Sequence, residues 1–171
     1  MLKKKVEKAL IDQIKLEEQS SRIYMAMASW CEVNGYPGAA RFLYLHSEEE
    51  RMHMTKLIKY VNDKGGHAAL LAQAAPAVSF KSLLDMFEEI LKHEVLVSQS
   101  INMVYETAFT EKDYATSQFM QWYIEEQIEE ESTFKGILDK FRLAGDQKGG
   151  LFHIDKELGE MAAAGSVPPA N

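Results

Sequence analysis

Cysteine is nearly absent from this sequence, which has a single one, Cys31, among 171 residues. One thiol cannot build a disulfide framework, and it excludes the Cys-rich zinc and iron sites that need two or more thiolates. No apolar run reaches the ~20 residues of a membrane-spanning helix, and the charged N-terminus lacks the apolar core of a signal peptide. We therefore expect a soluble, cytoplasmic protein without a membrane partner.

Positive charge is also scarce relative to negative charge. Lys and Arg number 19 against 26 Asp and Glu, which leaves a formal net charge of −7. Because binding to nucleic acid depends on clustered Lys and Arg, this balance argues against a nucleic-acid partner. The 46% of hydrophobic residues is ordinary for a globular chain, and we expect one domain spanning residues 1–171.

Prolines and glycines, which interrupt helices, number only four and ten and fall mostly between long stretches of good helix formers. Pro37 suits a first helical turn, and Ser79 is a candidate N-cap. We expect a frayed tail at residues 166–171. The predicted helices cover about 4–34, 38–64, 80–108, 113–143 and, as a short fifth helix, 154–163.

The connections between these helices predict their arrangement. The first and third connections are short, so the helices that they join should be antiparallel neighbours. The connection from Gly65 to Ser79 is long enough to carry the chain along the bundle. The sequence thus predicts an all-α fold, with a four-helix bundle, a long crossover between the second and third helices and a short fifth C-terminal helix.

The apolar face of each predicted helix is interrupted by polar side chains near its middle. The central polar residues are Glu17, Glu50, His53, Glu94, Gln127 and Glu130. The other residues of the four faces are Val6, Leu10, Gln13, Ser20, Tyr24, Met27, Cys31; Ala39, Leu43, His46, Leu57, Tyr60; Leu83, Phe87, Ile90, Val97, Ile101, Val104, Ala108; and Thr116, Met120, Tyr123, Phe134, Ile137, Phe141.

The central residues repeat at the same spacing in the two halves of the chain. Glu17 stands 33 residues before Glu50, and Glu94 stands 33 residues before Gln127. Likewise, Glu17 stands 36 residues before His53, and Glu94 stands 36 residues before Glu130. Two helical hairpins packed with pseudo-twofold symmetry would therefore bring all six polar groups to one point in the core.

Carboxylates in an apolar interior need a counter-charge, because each unpaired one costs several kcal/mol. Four of them together would also raise one another's pKa, whereas two divalent cations would balance their charge. Oxygen-rich ligation with one imidazole favours iron or manganese, although Zn²⁺ would compete. Two alternatives stay open: a discrete di-iron or di-manganese oxidase or peroxidase, and a metal-free structural bundle whose glutamates are mostly solvated.

These residues and their surroundings resemble the bacterial non-haem ferritins over essentially the whole chain. The most specific matches are Glu17, Tyr24, Glu94 and the runs Glu50-Arg51-Met52-His53 and Gln127-Ile128-Glu129-Glu130. The resemblance implies a ferritin-like bundle and an iron-storage protein that oxidises Fe²⁺ with O₂ or peroxide. It also implies a homo-oligomeric shell of 24 subunits in which ferric oxyhydroxide is deposited.

The resemblance further implies a di-iron ferroxidase centre. Glu17, Glu50 and His53 would hold one iron, and Glu94 and Glu130 would hold the second together with Glu50, which bridges the two. A third iron site is implied at Glu49, Glu126, Glu129 and Glu130, for which a solvated acidic face is the alternative.

Two uncharged residues receive roles from the same resemblance. Gln127 would lie beside the iron pair, as a ligand or as a hydrogen-bonding group on the oxidant side. Tyr24 would form a hydrogen bond near the centre and donate an electron. Trp122 is a further redox candidate, although ordinary packing explains it equally well.

Haem is not expected. A haem-binding relative would carry a methionine directly after the first glutamate of the Glu-x-x-His motif, and this chain has Arg51 there, with Met52 and Met54 nearby. The second Glu-x-x-His motif of such relatives is replaced by Gln127-x-x-Glu130.

Overall fold

A computed structural model describes residues 2–145 and 148–165, and these form five α-helices and no strand. The predicted all-α fold is confirmed. None of the helices in this part of the chain is both long and apolar enough to cross a membrane. The predicted frayed tail at 166–171 lies outside the described residues. The helices are α1 (Lys4–Val33), α2 (Pro37–Asp63), α3 (Leu83–Thr110), α4 (Tyr114–Ala144) and α5 (Lys148–Ala164).

The four long helices form the bundle, and α5 packs across one end of it. Helix α1 packs against α2 and α3, α4 packs against α3, and α5 lies against α2 and α4. The segment between α2 and α3 is the predicted long crossover. It is tied to α1 by Gln73, whose amide donates a 2.7 Å hydrogen bond to the backbone carbonyl of Lys15.

The start of α3 differs from the prediction, because the N-cap is Ser82 and not Ser79. The hydroxyl of Ser82 accepts a 3.0 Å hydrogen bond from the backbone N–H of Asp85 and donates one of 2.9 Å to its carboxylate. This reciprocal pair satisfies a free N–H at the helix start. Ser79 has no acidic residue three positions later, since Ser82 stands there.

Helix α5 is longer than the predicted 154–163 and begins at Lys148, so Gly149 and Gly150 lie inside the helix and not before it. The start of α5 packs closely against the end of α4, since a methyl group on Gly150 would lie 2.7 Å from the Cβ atom of Ala144. Glycine therefore serves close packing inside the first turn of α5 instead of marking a break before the helix.

The apolar core is divided into two clusters, one on each side of the bundle's middle. The first, at the end where α5 packs, includes Met27, Phe87 and Phe134, and the second includes Leu10, Leu57 and Val104. All residues of the four predicted inward faces are buried except Tyr60, which is half-buried. The layer between the clusters is occupied by the central polar residues.

Helix α5 is fixed to the start of α2 by a close contact. The carboxylate of Asp155 accepts hydrogen bonds from the backbone N–H groups of Gly38 and Ala39, at 3.1 and 2.8 Å. These are free N–H groups in the first turn of α2, where the helix dipole favours an anion. Gly38 has no room for a side chain, because a methyl group there would overlap the backbone carbonyl of Asp155.

We predict that Gly38→Ala destabilises the protein, because α5 must move away from α2 and the Asp155 cap is lost with it. The expected loss is about 1–3 kcal/mol, typical of overpacking at a tight contact. Thermal unfolding at one fixed protein concentration measures it. The matched control is Gly136→Ala in α4, where no atom lies within 4 Å of the new methyl group. That variant should be more stable by about 0.5–1 kcal/mol, since alanine favours helix. An equal response of both variants would contradict the prediction.

Candidate metal centre

The six central polar residues meet at mid-length of the bundle, one or two from each long helix. Each of these residues leaves at most 8% of its surface accessible, so water cannot fully solvate their charges. The residues are Glu17 on α1, Glu50 and His53 on α2, Glu94 on α3, and Gln127 and Glu130 on α4.

Glu17 is oriented by a short chain of hydrogen bonds that begins on α3. The hydroxyl of Ser100 donates to Gln13 Oε1 at 2.6 Å, and Gln13 Nε2 donates to Glu17 Oε1 at 2.7 Å. The second oxygen of Glu17, Oε2, is buried and has no hydrogen-bond partner. The contact therefore fixes one oxygen and leaves the other directed at the site.

Glu50 presents an unpartnered oxygen to the same point. Its Oε2 is buried without a hydrogen bond and lies 3.6 Å from His53 Nδ1, while Glu17 Oε2 lies 3.8 Å from the same nitrogen. One ligand atom from each of the three side chains lies within 4.8 Å of the other two. An unpaired buried carboxylate oxygen is costly, and a cation among these three atoms would satisfy both oxygens at once.

Glu94 lies beside this group with both of its oxygens in use. Tyr24 donates its phenolic hydrogen to Oε1, and Gln127 Nε2 donates to Oε2 at 2.9 Å. Among the described residues the ligand atoms of Glu17, Glu50 and His53 lie within 4.8 Å of one another, whereas those of the predicted second iron set, Glu50, Glu94 and Glu130, do not form such a group. The Gln127 side chain turns its NH₂ group, not its oxygen, toward Glu94 in this arrangement.

His46, which the sequence reasoning did not treat as a ligand, joins a second potential metal-binding group. Ligand atoms of His46, Glu49 and Glu130 lie within 4.8 Å of one another. His46 Nδ1 faces the carbonyl of Phe42 at 3.0 Å, an atom that only accepts, so the proton sits on Nδ1. The unprotonated Nε2 then faces Glu130 Oε2 at 3.6 Å. The available clue was the position of His46 in the inward face of α2, one turn before Glu50.

The other residues predicted for the third iron site are less enclosed. Glu126 is half-buried, and its Oε1 lies 4.0 Å from His53 Nε2. Glu129 is exposed and belongs to neither of the two groups. The structure thus brings Glu49 and Glu130 together, places Glu126 at the margin and directs Glu129 toward the surface of the chain.

A cleft of about 130 Å³ between α3 and α4 reaches this layer from the side. Its wall includes Gln127, Ser98 and Glu131. The hydroxyl of Ser98 donates to Glu131 Oε1 at 2.7 Å and lies 3.3 Å from Gln127 Nε2. A polar path therefore connects the half-buried Glu131 with a residue of the central layer.

Burial dominates the electrostatics of the metal-free site. It raises the pKa of Glu50 and of Glu94 from the ordinary 4.5 to about 7. Burial, reinforced by neighbouring carboxylates, also raises the pKa of Glu17 and Glu130. Burial lowers the pKa of His46 to about 4, which keeps its imidazole neutral and able to bind a metal.

We predict that the metal-free protein becomes less stable as the pH rises from about 4.5 through about 7. The unfolded chain ionises Glu50 and Glu94 near 4.5, whereas the folded chain holds their protons up to about 7. Each unit of pKa difference between the folded and the unfolded chain is worth about 1.4 kcal/mol. Each group therefore lowers the free energy of unfolding by about 3 kcal/mol across this range. Denaturant unfolding with a chelator, at about pH 5 and about pH 8, measures the loss.

The variants Glu50→Gln and Glu94→Gln should each reduce this pH dependence. The control is Glu106→Gln, an exposed position on the same helix as Glu94, which should leave it as it is. A pH dependence unchanged in Glu50→Gln would contradict the prediction.

Known proteins share both the sequence and the fold. The family described as "Ferritin-like domain" matches residues 7–144. A bacterial non-haem ferritin-like protein of Haemophilus influenzae is 45% identical over 95% of this chain and 98% of its own. The bacterial non-haem ferritin of Campylobacter jejuni is 43% identical over 95% and 97%. An open-pore ferritin from Archaeoglobus fulgidus superposes with a TM-score of 0.91 at 38% identity, covering 92% of this chain and 96% of its own. The chain therefore belongs to the ferritin family, with bacterial non-haem ferritins as its relatives.

Proposed function

We propose that this protein stores iron and oxidises it, with Fe²⁺ as substrate and O₂ or H₂O₂ as oxidant. The observation that carries the proposal is the convergence of two buried, unpartnered carboxylate oxygens, from Glu17 and Glu50, on Nδ1 of His53. Hard oxygen ligands with one imidazole suit iron. Membership of the ferritin family supports the same reading.

In this proposal the central layer holds two irons. Glu17, Glu50 and His53 bind the first, and Glu94 and Glu130 bind the second with Glu50 between the two. The burial of all five residues supports the assignment, because ionised carboxylates in the core are costly unless a cation balances their charge. Iron binding would draw Glu94 and Glu130 inward from their present hydrogen-bond and His46 contacts.

We assign a third, outer iron position to Glu49, Glu126, Glu129 and Glu130, and we add His46 to it. The mutual approach of His46, Glu49 and Glu130 supports this addition. Glu49 and Glu126 are only half-buried, so this position is the one nearest to solvent. It would take up Fe²⁺ on the way to or from the inner pair.

The chemistry balances with the residues in hand. Two Fe²⁺ give two electrons to O₂, which takes two protons and leaves as H₂O₂, or two electrons to H₂O₂, which takes two protons and leaves as two waters. The carboxylates stabilise the higher charge of the ferric product. In this proposal Tyr24 donates an electron and Gln127 orients Glu94 on the oxidant side, and the hydrogen bonds that both side chains donate to Glu94 support these roles. Hydrolysis of Fe³⁺ then yields ferric oxyhydroxide and protons.

The wider setting is also proposed from the family. We expect a cytoplasmic homo-oligomer, a hollow shell of 24 copies that encloses the mineral, with residues 1–171 as one domain and no haem. The negative net charge supports accumulation of Fe²⁺ at the protein surface.

We predict that Glu50→Ala and His53→Ala each lower the initial rate of Fe²⁺ oxidation by at least about tenfold, because each removes a ligand of the first iron. Absorbance of the ferric product after anaerobic loading and addition of O₂ measures the rate. The control is Glu88→Ala, an exposed glutamate on α3, which should oxidise iron at the native rate. A native rate in Glu50→Ala, with its fold intact, would remove the catalytic assignment.

Mass in solution separates storage from a discrete oxidase. A shell of 24 chains of 19.4 kDa weighs about 466 kDa, and we expect light scattering after size-exclusion chromatography to find that mass. A monomer or dimer that oxidises Fe²⁺, and that loses this activity in Glu50→Ala, would favour the discrete oxidase or peroxidase. A small species without iron oxidation would favour a metal-free bundle.

A further inference from the structure

Lys56 places its ammonium directly over an aromatic ring. Its Nζ atom lies 3.1 Å from the centroid of the Trp122 indole and 5.6 Å from that of Tyr123. Among the described residues Lys56 forms no salt bridge within 4.0 Å, although the charge of the nearby Glu126 opposes the lowering of the Lys56 pKa by burial. The half-buried ammonium thus covers one face of the Trp122 ring in a cation–π contact.

Trp122 is close to the proposed iron centre. Its ring packs edge-on against His53, with centroids 5.3 Å apart. The second tryptophan of the chain, Trp30, is also half-buried, but it packs between Tyr36 and Phe80 with no cation over its ring in the described part of the chain. The protein therefore contains one tryptophan under a positive charge and one without it.

Tyr24 and Trp122 differ in how their surroundings affect the loss of an electron. The phenol of Tyr24 donates a hydrogen bond to Glu94, so its proton has an acceptor when the ring loses an electron. Loss of an electron from Trp122 would instead create a positive ring directly beneath an ammonium, and Coulomb repulsion opposes that charge. Among the described residues no protein group accepts a hydrogen bond from the Trp122 indole N–H, in contrast to the Glu94 carboxylate that accepts one from Tyr24.

We propose that Lys56 is a positioning residue that keeps Trp122 reduced while iron is oxidised at the adjacent centre, so that Tyr24 supplies any electron taken from the protein. The inference rests on the proposed function for its oxidant. The charge matters most when a single Fe²⁺ meets peroxide, because one iron provides only one of the two electrons that H₂O₂ needs.

That step balances with Tyr24 as the second donor. One Fe²⁺, one H₂O₂, one proton and the Tyr24 phenol give Fe³⁺, two waters and a neutral tyrosyl radical. The O–O bond breaks, iron and phenol each lose one electron, and the phenolic proton leaves through its hydrogen bond and ends in water. With Trp122 as the donor, the same electron count would damage the indole beside His53.

The first test is free of iron. A photogenerated tris(bipyridine)ruthenium(III) ion removes single electrons from exposed and half-buried tryptophans, and peptide mass spectrometry measures the oxygen gained by Trp122 relative to Trp30. We expect Lys56→Met, which keeps the apolar stem, to raise that ratio by at least about threefold, the size of a cation–π contact expressed as a rate. Lys56→Arg should restore the native ratio. Lys59→Met, which removes an exposed charge from the same helix, should not change it.

The second test adds limiting Fe²⁺ and H₂O₂ to the same proteins and follows radicals by electron paramagnetic resonance. We expect a tyrosyl signal in the native protein and a tryptophan signal with Trp122 oxidation in Lys56→Met. An unchanged Trp122-to-Trp30 ratio in the iron-free test overturns the proposal, and so does an equal rise in Lys59→Met. A rise without iron but none during iron oxidation overturns the protective role. If the native protein does not oxidise Fe²⁺ at all, the proposed function fails, and the iron-free result still reports on Lys56 alone.

Discussion

Four carboxyl groups removed from water set the terms for the rest of the structure. Their ionised forms are costly in an apolar interior, so the folded protein must either hold protons on them or hold cations between them. The two apolar clusters on each side supply the stability that lets the bundle tolerate this layer. A ferritin thus gains affinity for metal from the same desolvation that weakens its metal-free form at high pH.

The neighbours of these carboxyl groups decide which oxygens are free. Gln13 occupies one oxygen of Glu17 and leaves the other for a metal. Tyr24 and Gln127 occupy both oxygens of Glu94, so in the proposed centre Glu94 must rearrange before it can bind iron. The two halves of the chain therefore share the spacing of their polar residues but differ in whether a carboxylate oxygen is free to bind a metal. Uncharged residues around the carboxylates cause this difference.

Periodicity was sufficient to predict the bundle and its inward faces, because burial on a helix follows directly from residue spacing. It was not sufficient for helix ends, where Ser82 replaced Ser79 through a reciprocal bond with Asp85. Periodicity was also insufficient to predict which residues form the outer site. A step of about 100° per residue leaves adjacent glutamates ambiguous. Only the packed helices show that Glu129 is exposed and that His46 approaches Glu49 and Glu130.

The division of the core into two apolar clusters limits the routes by which an ion can reach the polar layer. Close-packed side chains plug the bundle above and below the polar layer, so an ion cannot arrive along the axis between the helix ends. Approach must be lateral, through seams between helices, such as the cleft beside Gln127 or the half-buried rim at Glu49 and Glu126. In the proposed function, iron and oxidant can therefore enter the polar layer between different pairs of helices. Neither has to pass through the tightly packed ends.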